Sequence, residues 1–256
     1  VVFAYGLAYA VVAMLGLGYV GSLIWRQSIM KNAGRFDFRE IVLHGLPLNI
    51  TALAQRLLRR GDTFVIGALL GANSLGIYRA AYMLASGVKQ FITPINTYAL
   101  FQMSKHFGQK RMADIFHHYN IAVLFSLTLA LPVYLFIFLF AEDLIIWIFD
   151  NDYAGAVPLV QVLVIGFSVF VTVGPMGALF NAIGKNWLRM WMVLGISVLN
   201  ICFNILFIKW FGLVGAAIGT SISFAVLYGL FLFCMRTHLI SGFESFMPLF
   251  LVILMG

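Results

Sequence analysis

The chain has 256 residues, of which 62% are hydrophobic and only 10% charged, and its net charge is +7. A soluble domain carries roughly a quarter charged residues, so there is too little charge here to cover a water-facing surface. That excludes a water-soluble globular protein, leaves a polytopic all-α membrane protein, and makes the placement of the basic residues, rather than a nucleic-acid partner, the meaning of the excess charge.

Taken in chain order, the charge-free apolar runs predict membrane spans at about 1–25, 42–70, 75–100, 119–141, 155–180, 188–209 and 212–235, with an eighth beginning near 246. Each is close to the ~20 apolar residues that a helix needs to cross the hydrocarbon core. The first residue already lies in a span and the last residues, "FLVILMG", lie within another, so the expectation is a fragment of a longer protein.

The connections sort by charge. Those at 26–40, 102–120, 181–190 and after the seventh span carry Arg26, Lys31, Arg35, Arg39, Lys105, Lys110, Arg111, Lys185, Arg189 and Arg236. The alternate connections, 71–76, 142–155 and 209–212, carry Lys209 as their one basic residue. The positive-inside rule places the first set in the cytoplasm. A missed span would break this alternation, so the charges also support the span count.

Several patterns have bland readings. "GLGYVG" (Gly16–Gly21) matches GxGxxG, but no strand or βαβ unit surrounds it to hold a nucleotide. "GALLG" (Gly67–Gly71) and "GAAIG" (Gly215–Gly219) have the small-xxx-small spacing that lets membrane helices approach closely. Cys202 and Cys234 lie in apolar runs without ligand spacing and read as packed thiols. His44, His106, His117 and His118 lack companions at metal-ligand spacing, so no metal or other cofactor is expected. The acids Glu142, Asp143, Asp150 and Asp152 share one outer connection; without a base beside them they read as solvated loop acids, not acid–base catalysts.

The informative charges lie inside spans. "QRLLRRGD" (Gln55–Asp62) puts Arg56, Arg59, Arg60 and Asp62 in the second span, with Arg56 roughly 22 Å along a helix that starts near Ile41. Each arginine at the centre of a span costs about 2.5–3.5 kcal/mol on insertion scales, so the group is expected to face a protein interior or a watery cavity. On a helical wheel Asn49, Ala52, Arg56, Arg60, Thr63 and Gly67 share a face. Arg59 and Asp62, at i,i+3, form a candidate structural or gating pair. The third span repeats the theme with Ser86, Lys89, Gln90, Thr93 and Asn96, and the sixth with Ser197, Asn200 and Asn204. Intramembrane ionisable groups point to function, and guanidinium suits phosphate. Arg56, Arg60, Lys89, Gln90, Asn200 and Asn204 are therefore the candidate substrate-binding residues of a cationic cavity. The rival reading pairs these cations with acids elsewhere.

The run "LPLNITALAQRLLRRGDTFVIGALLGANSLGIYRAAYMLA" (46–85), with Pro47, Asp62, Gly67, Gly76, Tyr78, Ala81 and Tyr82, resembles the start of the second half of polysaccharide flippases. These are the Wzx-type, O-antigen and colanic-acid exporters of the multidrug/oligosaccharidyl-lipid/polysaccharide superfamily. "PMGALFNAIGKN" (175–186) and "NICFNILFIKWFGLVGAAIGTSIS" (200–223) are similar to its later spans. "RLLRR" is more basic than the family at large. The resemblance implies two helical lobes that rock around a central cavity. Residues 1–25 would be the last helix of the first lobe, 26–40 a cytoplasmic linker, and 41–256 the second lobe, truncated in its final span. It further implies a carrier, not an enzyme, that moves an undecaprenyl-pyrophosphate-linked oligosaccharide across a bacterial inner membrane, with membrane lipid, a polysaccharide polymerase and chain-length machinery as partners. The alternatives are a multidrug cation exporter of the same superfamily and a membrane polysaccharide polymerase or ligase.

Overall fold

In the computed structural model the described residues are 38–239, with side chains from Gly45 to Thr237; the expected first and eighth spans lie outside these, as does the linker apart from 38–40, which already belong to a helix, and so does the domain division built on them. The described residues from Gly45 onward belong to one compact unit. The elements are α1 (Phe38–Gly87), α2 (Lys89–Gly108), α3 (Met112–Leu139), α4 (Ala141–Phe149), a 3-10 turn (Asn151–Ala156), α5 (Val157–Ala182) and α6 (Asn186–Leu239). Four helical stretches among the described residues are long and apolar enough to cross a membrane.

Two of those stretches are hairpins. α1 loses helical geometry at Gly71 (φ 83°, ψ 179°) and α6 at Gly212 (φ 58°, ψ −139°). Asp62 hydrogen-bonds to Tyr78, sixteen residues on, whereas a straight helix would put them about 24 Å apart. The chain therefore reverses at Gly71, and at Gly212 it reverses again to bring Asn200 onto Ser223. Only glycine adopts such backbone angles without strain. The second arm of α1 runs on into α2 through Val88, which stays in the helical region. The described passes are thus 38–70, 72–108, 112–139, 157–182, 186–211 and 213–239, in register with the six expected there.

The boundaries differ in one way. The basic segment 102–120, expected as a connection, is helical except for the turn at Gln109–Arg111, where Lys110 takes φ 57°. Helical hydrogen bonding carries on beyond the apolar stretch because nothing there breaks it. The outer connection is likewise not a loop. α4 buries Ala141 and Ile145 and leaves Trp147 85% exposed, the make-up of a helix lying at a membrane interface, where tryptophan is favoured.

α5 is the central helix. Pro158 starts it, since proline lacks only an N–H that is unpaired in a first turn anyway. It packs on α2, α3 and α6, and its leucines, valines and phenylalanines form much of the core. The glycines of "GAAIG" let the arms of α6 touch: a Cβ on Gly215 would strike the backbone carbonyl of Phe207, and one on Gly219 the Asn204 side chain. "GALLG" is different. Gly71 there makes the reversal, not a helix contact, and Gly67 has only Leu75 nearby. Cys202 is exposed and Cys234 half-buried, so the first is not a packed thiol.

Candidate functional site

The polar residues inside the bundle divide into two groups with different chemistry. The first is closed. Asp62, 1% exposed, accepts hydrogen bonds from Tyr78 Oη (2.6 Å), Thr220 Oγ1 (2.9 Å) and Asn204 Nδ2 (2.5 Å). Asn204 also donates to Asn200 Oδ1 at 3.3 Å, and Asn200 donates to Ser223 at 3.2 Å. Ser197 ties the cluster to the first arm of α1 through the carbonyl of Ala54. One face of each arm contributes. On α1 the buried positions 54, 58, 61, 62 and 66 follow helical spacing, and Gly61 admits Ile201 against the backbone.

This arrangement places the side chains differently from the expected pattern at three points. Asp62 does not pair with Arg59, because neutral donors from three other passes occupy both its oxygens; the ion pair found among the described residues is His106–Asp114 at 3.4 Å. Asn200 and Asn204, each 0% exposed, do not line the cavity: both Nδ2 groups and Asn200 Oδ1 are engaged with Asp62, Ser223 and each other, and Asn204 Oδ1 is buried without a partner. The stripe Asn49, Ala52, Arg56, Arg60 is exposed on α1, opposite its buried face. Arg56 and Arg60 therefore do not converge with Lys89 on one vestibule within the described bundle.

The second group is open. A cavity of about 270 Å³ lies among both arms of α6, the first arm of α1, and α2, α3 and α5. Its cations are Lys89 and Arg189; its neutral polar groups are Gln55, Thr93, Asn96, Thr97, Tyr134 and Asn181. Among the described residues no carboxylate lines it. The Lys89 ammonium sits 4.7 Å from the centre of the Phe170 ring, a cation–π contact in place of a counter-ion. Gln90, the next residue, is exposed and does not line the cavity.

The cavity walls owe their shape to α5. Gly174 and Gly177 stand one turn apart. A Cβ on Gly174 would run into the Asn96 amide, and one on Gly177 would come 3.0 Å from Arg189 Nε. Pro175, between them, has no N–H for the carbonyl of Val171, another wall residue. Asn96 Oδ1, Asn181 Oδ1, Tyr134 Oη and Arg189 Nε are all buried without a hydrogen-bond partner. Buried polar groups are nearly always partnered, so four unpartnered ones on the wall of one cavity mark a place for a polar guest.

Sequence reasoning missed Arg189, Asn181 and Tyr134. Arg189 had been counted among the cytoplasmic basic residues, and the pattern "GPMG" four residues before Asn181 was the available clue to a close approach. Among the described residues no group of three His, Cys, Asp or Glu is placed to hold a metal ion. Glu142, Asp143, Asp150 and Asp152 are all exposed; the first two sit in the first turn of α4, and Asp150 caps the next turn by accepting from the Asn151 N–H.

Fold and cavity together define an α-helical, multi-pass membrane protein with a polar pocket inside the bundle. Residues 1–107 match a family described as polysaccharide biosynthesis protein. The chain is 24% identical over 185 residues to a probable low-salt glycan biosynthesis flippase of Haloferax volcanii, covering 72% of this chain and 38% of that protein. It is 26% identical over 193 residues to an uncharacterised membrane protein of Methanocaldococcus jannaschii, covering 74% and 38%. Among solved structures it is similar to a multidrug resistance MATE family transporter of the MOP superfamily in an outward-facing conformation (TM-score 0.69, 19% identity, 77% of this chain and 44% of that one). It is also similar to a MOP superfamily transporter from Pyrococcus furiosus described by the reverse polarity of its binding pocket (TM-score 0.66, 18% identity, 77% and 44%). The chain thus has the fold of these transporters over the matched part, and spans less than half the length of each of these relatives.

Proposed function

We propose that this chain is part of a flippase that carries a lipid-linked, anionic oligosaccharide across a bacterial inner membrane by alternating access. The observation that carries the reading is the cavity itself, which has two cations, no carboxylate and several unpartnered hydrogen-bonding groups within an apolar bundle. Such a lining attracts phosphate or acidic sugars and repels cations. The match to a polysaccharide biosynthesis family and the likeness to a glycan flippase support the same substrate class. Lys89, on the cavity wall, holds the charged part of the substrate. Arg56 and Arg60, on the exposed face of the first arm of α1 and outside the cavity, meet the diphosphate of the lipid carrier. Undecaprenyl pyrophosphate is the carrier lipid, and a polysaccharide polymerase with its chain-length machinery takes the product.

The test is surface polysaccharide in cells whose full-length protein carries Lys89→Ala, or Arg56→Ala with Arg60→Ala. Loss of polysaccharide with the protein still inserted is expected. Lys89 has no acid partner among the described residues, so its removal strands no charge and the unfolding midpoint is expected to hold or rise. Normal polysaccharide in both variants overturns the reading. A drug exporter of the same fold is the second reading, favoured by the likeness to multidrug transporters; resistance to cationic dyes on overexpression would decide for it.

A further inference from the structure

The lining of the cavity suits a sugar better than a bare diphosphate. We infer that it is a subsite for a single acidic sugar residue of the transported glycan, in which Arg189 binds the acidic group; this rests on the flippase reading above and names what that site selects.

Three observations lead there. At about 270 Å³ the cavity falls just under the roughly 300–1,000 Å³ of small-molecule sites, room for one ring with its substituent rather than a whole repeat unit. Its neutral lining is amide and hydroxyl, the groups that exchange hydrogen bonds with a polyol, and the unpartnered atoms include acceptors (Asn96 Oδ1 and Asn181 Oδ1) as well as donors. A diphosphate has no proton to give those carbonyls, but a sugar has several hydroxyls. Phe170 and Phe231 add flat apolar surface of the kind a sugar ring packs against.

The charge is equally specific. Arg189 stands in the first turn of α6, half-buried, with Nε unpartnered and its guanidinium held beside the bare backbone of Gly177. A guanidinium that lacks a carboxylate presents its planar fork to an oxyanion. Lys89, over Phe170, is the second cation of the lining. A neutral sugar would leave both cations uncompensated in a partly dry site. The acid is a sugar carboxylate or a sugar phosphate, which share this chemistry.

The experiment uses the purified full-length protein and four soluble probes: glucuronic acid, glucose 1-phosphate, glucose and inorganic phosphate. The readout is the concentration of each that raises the thermal unfolding midpoint. Expected is stabilisation by glucuronic acid, glucose 1-phosphate or both at concentrations at least ten-fold below those of glucose and phosphate. Whichever acid acts identifies the source of the charge. Arg189→Gln should weaken that effect at least ten-fold. Gly177→Ala, which keeps every charge but crowds the guanidinium, should weaken it as well and serves where Arg189→Gln does not fold. Equal action by glucose, equal action by inorganic phosphate, no action by either acid, or unchanged binding in the variant overturns the subsite. The two readings fail separately: acid-sugar binding with unimpaired export in the Lys89 and arginine variants would remove the flippase and leave the pocket.

Discussion

Tyr78 donates its hydroxyl to Asp62 at 2.6 Å across the hairpin that Gly71 creates. This one bond joins the outgoing and returning arms of α1, and Thr220, 2.9 Å from the same Asp62 oxygen, draws in the last described pass. With Asn204 on its other oxygen, Asp62 is therefore a knot among four passes.

Removing one strand of that knot should cost less than removing its centre. Tyr78→Phe takes away one donor to a buried carboxylate, a loss of about 1–3 kcal/mol. Asp62→Ala leaves the Tyr78 hydroxyl, the Thr220 hydroxyl and the Asn204 amide without their acceptor, and should destabilise more. Thermal unfolding of the purified variants gives the order; a Tyr78→Phe protein less stable than Asp62→Ala would show that the carboxylate does not anchor the cluster.

Glycines in the same hairpin should differ sharply. Gly215→Ala sets a methyl group against the backbone carbonyl of Phe207, which cannot swing aside, whereas Gly229 has open space around it. The first substitution is expected to separate the arms of α6 and lower the yield of folded protein. The second should be neutral or stabilising by up to about 1 kcal/mol, since alanine is the better helix former. Size-exclusion profiles and unfolding midpoints in detergent compare the two.

The reversal at Gly71 makes a third case. Its φ of 83° with ψ of 179° lies in a region open essentially to glycine alone, and a side chain there costs about 1–3 kcal/mol. Gly71→Ala should lower the unfolding midpoint, while Gly76→Ala, five residues on with nothing near its Cβ, should not. Equal midpoints would mean that the hairpin does not need this backbone geometry.

The charge asymmetry predicts sidedness. In a background with Cys202 and Cys234 replaced, single cysteines at Lys110 and Lys185 should react with a membrane-impermeant maleimide only after the cells are opened. Cysteines at Trp147 and Asp152, both exposed, should react in intact cells. The opposite pattern would invert the orientation of every pass.

The class of protein and the course of the chain were legible from the residues alone. Apolar length and the alternation of basic and base-poor connections depend on local composition, and a helix in lipid must satisfy its own backbone, so each span declares itself without reference to its neighbours. Lys89 likewise announced itself, because a charge in mid-span is conspicuous wherever its partners lie.

What Asp62 binds could not be read from spacing. The i,i+3 position of Arg59 offered a plausible partner, but the turn at Gly71 and the one at Gly212 bring in Tyr78, Thr220 and Asn204 from distances of 16 to 158 residues. The same folding closes Asn200 and Asn204 into a core and leaves Arg56 on an exposed face. It also delivers Arg189, an ordinary basic residue next to a connection, into a cavity shaped by two glycines of another helix. A helical wheel shows which residues share a face. Which face meets which is decided by packing among passes, and only the tertiary structure holds that information.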